Sequence, residues 1–262
     1  MKYFFRKVHI LLTVYYAYML EYRSELLLWV LSGSLPIIIM GVWNKAAQGG
    51  NFGLSPLDFT RYFFAVFLFR QLTVVWVIYD FETEVVEGKL SNRLLQPLDP
   101  VFHHLAGHIG ERFARMPFVV AIVGIFFAFY PQAFWIPSFT NFFWFTLAAV
   151  LSFALRFLIQ YTLAMLAFWT ERATSLENFW FLLFLFLSGM IAPLEVFPPA
   201  VKNFALWTPF PYLIHFPASI LVGLPVDLTR GFLSILAWLC IFGVANRLLW
   251  RLGLKQYSGM GA

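Results

Sequence analysis

The sequence predicts an all-α integral membrane protein: an amphipathic interfacial helix, six transmembrane helices, and short re-entrant helices before the last span. Three observations carry this. Hydrophobic residues fill 61% of the 262 positions and charged residues only 12%, against about 25% charged in a soluble domain. Lipid must therefore be the solvent for much of the surface. Six apolar stretches approach the ~20 residues a helix needs to cross a bilayer. One further apolar region, 188–225, holds seven prolines, so it cannot be a single spanning helix.

The elements follow in order. Residues 1–25 are basic and aromatic (Lys2, Arg6, Lys7, Tyr3, Phe4, Phe5, Tyr15, Tyr16, Tyr18, Tyr22). That composition suits a helix lying in the interface, or else an extension of the first span. The spans are expected at about 26–43, 61–79, 113–130, 142–169, 178–192 and 231–250. Pro36 should kink the first, Pro117 lies near the start of the third, and Ser188-Gly189 with Pro193 breaks the fifth early. No clean apolar core with a small-residue cleavage site precedes Glu21, so no cleavable signal is expected. The chain reads as one transmembrane domain, 1–262. Its single cysteine, Cys240, excludes an internal disulfide.

Basic residues orient the spans. Lys2, Arg6, Lys7, Arg23, Lys89, Arg93, Arg112, Arg115, Arg172, Arg247, Arg251 and Lys255 fall on the face that holds the N-terminus. Only Lys45, Arg61, Lys202 and Arg230 fall on the other. Both termini and the loop 80–112 are thus expected in the cytoplasm. The stretch 80–115 carries six of the thirteen acids and four of the eighteen basic residues. Such a loop is expected to meet a partner in water, or else to be a solvated helix extension.

Candidate chemistry is sparse. No Gly-rich phosphate cradle, nucleophile elbow or paired-aspartate motif is present. His104 and His108 share a helix face beside His103, but no third ligand is evident, so they read as solvated histidines with no metal. Arg70 and Arg156 lie deep in spans, with Gln71 and Gln160 nearby and no Asp or Glu inside any span. Intramembrane arginines mark functional sites by default; equally, they can bond helix carbonyls and brace the structure. Backbone in lipid must be satisfied internally, so 188–225 should fold as short helices dipping back into the membrane.

At this point the chain resembles permease subunits of the type-2 ABC (ABC-2) exporter family. The resemblance rests on the order of an amphipathic helix and six spans, and on Glu87-Gly88-Lys89-Leu90 through Leu94-Leu95-Gln96-Pro97-Leu98. It rests also on Ser188-Gly189, Pro193-Leu194, Phe197-Pro198, Pro209-Phe210, Tyr212, Pro217 and Gly223. It implies a transport subunit rather than an enzyme, set in the plasma (bacterial inner) membrane among lipids, with no nucleic acid. It implies pairing with a second permease, identical or not, and docking on separate ATPase subunits that bind ATP and Mg. A coupling helix comprising Glu87, Gly88, Lys89, Leu90, Arg93, Leu94, Leu95 and Pro97 would contact the ATPase. Spans two and five would line the path, making Phe67, Arg70 and Gln71 path candidates, with Arg156 and Gln160 beside them. Aromatic spans suit a hydrophobic or amphipathic cargo, drug-like or lipid-like; the arginines favour an anionic group. A membrane-embedded lipid-modifying enzyme using His103, His104, His108, Arg70 and Arg156 is the alternative, and a passive scaffold a third.

Overall fold

The computed structural model describes residues 2–50, 52–170 and 172–257, without the side chains of Lys2, Tyr3 and Phe4. The expectations for those three side chains fall outside it. Among the described residues every regular element is helical. Five helices are long and apolar enough to cross a membrane, spanning Arg23–Gly49, Pro56–Val86, Pro100–Phe129, Phe139–Phe168 and Leu228–Gln256. The chain is thus an all-α integral membrane protein.

Helix α1 (Lys2–Glu21) lies along the first half of α7 (Pro100–Phe129). Glycines permit the approach: a Cβ on Gly110 would stand 3.0 Å from the Tyr16 nitrogen. The first span is split into α2 (Arg23–Ser32) and α3 (Leu35–Gly49). The break falls at Gly33-Ser34, just before Pro36, as a proline kink requires. Helix α3 then pairs with α4 (Pro56–Thr73), where Trp43 stacks on Phe59 at 5.4 Å. A Ser55–Asp58 capping box starts α4.

The second span differs from its expectation as one continuous helix. It stops at Thr73 and resumes as α5 (Val77–Val86). Arg112 of α7 explains how the gap survives. Its guanidinium donates to the carbonyls of Leu72 and Val74 on one side and of His108 on the other. Its face lies 3.9 Å from the Phe153 ring centroid.

The expected loop 80–112 is mostly helix: the end of α5, then α6 (Leu90–Leu94), then α7 from Pro100 with Asp99 as its cap. Helix α8 (Phe139–Ala164) crosses the centre of the fold. The expected fifth span is α9 (Thr174–Leu187), only 14 residues long. That is about 21 Å at ~1.5 Å per residue, short of the ~30 Å hydrocarbon core. The chain then continues through α10 (Pro199–Leu206) and α11 (His215–Val222), both short, before α12 (Leu228–Gln256). Helix α11 is buried from His215 to Leu221 against α4 and α8.

Two hydrophobic cores result, labelled inner for the end that holds α6 and outer for the opposite end. The outer one runs from Phe59 to Phe69 on α4 and takes in Phe126, Leu155, Met190 and Ile214. The inner one holds Val75, Ile78, Phe81, Leu90, Tyr161 and Phe168. On the second span, the polar residues between them are Arg70, Gln71 and Thr73.

Two stability predictions follow from these contacts. Arg112→Leu should lower unfolding stability in detergent by roughly 3 kcal/mol, the scale of its two charge-assisted hydrogen bonds to the break, at Leu72 and Val74. Arg112→Lys should not restore it, because a point ammonium cannot reproduce the planar fork; a wild-type melting curve for either variant contradicts the role. Gly189 sits at φ +87°, where a Cβ would stand 2.6 Å from the Tyr62 hydroxyl. Gly189→Ala should cost about 1–3 kcal/mol, whereas Gly41→Ala, with nothing within 4 Å, should be neutral or stabilising by up to ~1 kcal/mol.

Candidate functional site

Three polar assemblies punctuate this apolar fold, at its inner end, its middle and its outer end.

The inner assembly is built on α6. Gly88 takes φ +72° and turns the chain after α5. Leu90 is fully buried in the inner core, so it anchors the segment and offers no outward contact. Arg93 donates through Nε to Glu84 at 2.9 Å and through Nη1 to the Tyr15 hydroxyl at 3.3 Å. Glu87 and Lys89 form an exposed ion pair. Leu94, Leu95, Gln96 and Pro97 project outward, Leu95 with 85% of its surface free. The Ser91 hydroxyl lies 3.2 Å from that of Tyr257 at the end of α12. Together with the Tyr15 contact, this gathers α1, α6 and the C-terminal end of α12 at one end of the fold.

The middle assembly is the polar layer between the two cores. Arg115 pairs with Glu111 one turn before it and donates to Gln71 Oε1 at 3.2 Å. Gln71 donates in turn to the Val30 carbonyl at 3.1 Å. Arg70, Arg115, Arg112 and Arg156 each feel the charge of the next, closing a ring. Arg156 is buried with its guanidinium 4.7 Å from the Phe184 ring centroid, and its Nη1 has no hydrogen-bond partner. Gln160 donates to Glu177 at 2.6 Å.

Several expectations change here. Arg156 has acidic company after all, because Glu177 on α9 is buried and within its electrostatic reach. His104 and His108 are not solvated: they are 6% and 4% exposed. Each faces a carboxylate, Glu84 at 3.4 Å and Glu111 at 3.6 Å respectively. His103 is half-buried against the Tyr15 hydroxyl at 3.2 Å. Phe67 is fully buried inside the outer core, so within a single chain it lines no open path. The structure does bring Arg70, Gln71, Arg156 and Gln160 into one layer, together with Arg112 and Arg115, which their place in a charged loop had concealed. The signal was present in the sequence as His108, Glu111 and Arg115 at spacings of three and four, one helical face.

The outer assembly pins the region 188–225. The Tyr62 hydroxyl donates to the Gly189 carbonyl at 2.8 Å and lies 3.1 Å from His215 Nδ1. His215 Nε2 lies 3.4 Å from Glu195. Burial alone would raise the Glu195 carboxyl, but the hydrogen bond and charge of His215 hold it below the usual carboxylate range. The buried Ser188 carbonyl accepts from the His215 amide at 3.0 Å. Ser152 donates to the Tyr212 carbonyl at 2.7 Å, and the Tyr212 hydroxyl to Leu206 at 2.8 Å. Pro193 and Pro198 stand just before helical turns, Pro209 before another, and Pro217 in the first turn of α11, where its missing N–H costs little. The expected re-entrant residues thus lie in one bonded unit. Tyr62, His215 and Glu195, which hold it, lay far apart in the sequence and carried no motif.

A family model described as ABC-2 family transporter protein matches residues 50–261, from the end of α3 to the C-terminal residues. No curated protein matches the chain. The match spans α6, the polar layer and the outer assembly, and leaves α1, α2 and α3 outside it. The chain belongs to the ABC-2 transporter family, as a membrane permease of an ABC transporter.

Proposed function

We propose that this permease serves an ATP-driven exporter, with ATP and Mg bound on separate ABC ATPase subunits that dock on α6. The observation that carries the reading is the division of labour on that segment. Leu90 and Arg93 hold it to the fold, while Leu94, Leu95, Gln96 and Pro97 present an apolar tip outward. An apolar knob on a charged rim is what a protein cleft can grip.

A push on that tip has a defined route. Arg93 ties α6 to Glu84 on α5, and His104 on α7 faces the same carboxylate. These elements share the inner core and form the body that moves. The break at Val74–Trp76 leaves α5 able to turn against α4, with the Arg112 fork holding the α4 side of the break to α7. Two permeases, identical or not, would enclose the path, and the partly exposed Arg70 is the candidate to face it. The fold at the outer end supports a closed gate pinned by Tyr62 and His215. A bacterial inner-membrane location with both termini cytoplasmic agrees with α1, α6 and Tyr257 sharing one end. The cargo class that fits the aromatic spans is hydrophobic or amphipathic.

One observation favours the enzyme alternative: His108 lies in the same layer as Arg112 and Arg156. Turnover of a lipid by the purified permease without ATP would decide for it.

Two variants separate docking from transmission. Leu95→Asp should cut co-purification of the ATPase and permease-dependent ATP hydrolysis at least about tenfold, the cost of one interface anchor, with the permease still melting normally. Undiminished ATPase capture would remove α6 as the docking element. Arg93→Ala should leave capture in place but lower transport per ATP hydrolysed severalfold, because α6 loses its tether to α5. An unchanged ratio in proteoliposomes would show that force does not pass through Glu84.

A further inference from the structure

A cleft of about 770 Å³ opens at the inner end between α1, α5 and α7, beside the coupling segment but distinct from its exposed tip. Its walls combine two chemistries. Tyr15 and Tyr18 from α1, Trp29 from α2, and Trp76 and Tyr79 at the helix break supply aromatic surface. Asp80, Glu84 and Glu111 supply carboxylates. The basic groups on the walls are already engaged: Lys89 pairs with Glu87, and Arg93 with Glu84. Glu111 is matched by Arg115. Asp80 is left exposed, one turn from Glu84, with no ion pair or hydrogen bond among the described residues.

The floor is already matched. His104 and His108 are more than nine-tenths buried and line the cleft, where His104 Nε2 faces Glu84 Oε2 at 3.4 Å and His108 Nδ1 faces Glu111 Oε2 at 3.6 Å, so Asp80 is the wall carboxylate left for a ligand. Among the described residues no three His, Cys, Asp or Glu side chains are grouped so as to hold a metal ion.

We infer that this cleft binds an amphipathic organic cation, an ammonium or phosphonium centre on an apolar body, with Asp80 as counter-ion and Trp76, Tyr79 and Tyr18 as ring faces. A cation over aromatic rings gains most where water is thin, and a carboxylate beside the rings sets the sign of charge accepted. The wall formed by an amphipathic helix places the opening at the lipid interface, within reach of molecules dissolved in that leaflet. The assignment deepens the exporter reading by naming a substrate class. It can be tested without ATP or an ATPase, so its failure would leave that reading standing.

The test uses the full chain in nanodiscs and two probes of one shape and opposite charge, tetraphenylphosphonium and tetraphenylborate. Saturable binding of tetraphenylphosphonium is expected, with none of tetraphenylborate at the same site. Asp80→Asn and Trp76→Leu should each weaken it about tenfold, and Asp80→Glu should recover most of the loss, all three melting as the wild type does. Nanodiscs of phosphatidylglycerol alone and nanodiscs containing phosphatidylethanolamine distinguish the source of the cation. Competition by phosphatidylethanolamine assigns the site to a lipid headgroup ammonium, and unchanged affinity assigns it to free cations; both outcomes uphold the cleft as a cation site. Equal affinity for the two probes, or wild-type affinity in folded Asp80→Asn and Trp76→Leu, overturns it.

Discussion

The Arg112 guanidinium is the contact on which the rest of the arrangement depends. A helix broken inside an apolar layer exposes carbonyls that lipid cannot satisfy. Arg112 bonds the Leu72 and Val74 carbonyls at the break and the His108 carbonyl on its own helix, and covers its apolar face with Phe153. With that fork in place, α4 and α5 can be separate bodies on separate cores. The fork also brings a buried positive charge, which calls for the acids and amides around it. Glu111, Gln71, Gln160 and Glu177 follow from this need more than from any catalytic design.

The polar layer and the outer assembly differ in character. At the outer end, Tyr62, His215, Ser152 and Tyr212 make bonds of 2.7–3.1 Å that tie short helices to α4 and α8. Such a network favours one fixed geometry. The middle layer leaves Arg156 Nη1, Gln160 Oε1 and Glu177 Oε2 without partners. Unmet buried polar groups are costly in a single state, and a second arrangement that satisfies them is a natural reason to retain them. The proposed motion of α5, α6 and the start of α7 would shift this layer first, while the outer assembly resists. Coupling at one end and gating at the other then become two responses of one chain, joined at the helix break.

Much of this was legible in the sequence, for physical reasons that also mark the limits. Composition alone required lipid as solvent, and the proline run alone forbade a sixth long helix between 188 and 225. Gly88 and Pro97 marked the bounds within which the short helix α6 falls. Pro36 gave the kink in the first span. The break after Thr73 was invisible, because Val74 and Val75 are as apolar as their neighbours and the stabilising side chain lies 38 residues or more away along the chain. The buried layer was hidden by the habit of assigning charge to water: Glu111, Arg112 and Arg115 sit beside a real loop and were counted with it. Tyr62, Glu195 and His215 needed tertiary proximity that no local pattern encodes.

The central claim is that α6 moves as one body with α5 and the start of α7, about the break at Val74–Trp76, when the ATPase binds ATP. Electron paramagnetic resonance distances between spin labels on the assembled transporter test it directly, using the exposed positions Leu95, Phe102 and Phe139. The account predicts that the Leu95–Phe102 distance within a permease stays constant on ATP binding while the Leu95–Phe139 distance changes. A change in the Leu95–Phe102 distance as well would mean that α6 moves apart from α7, and would contradict the account.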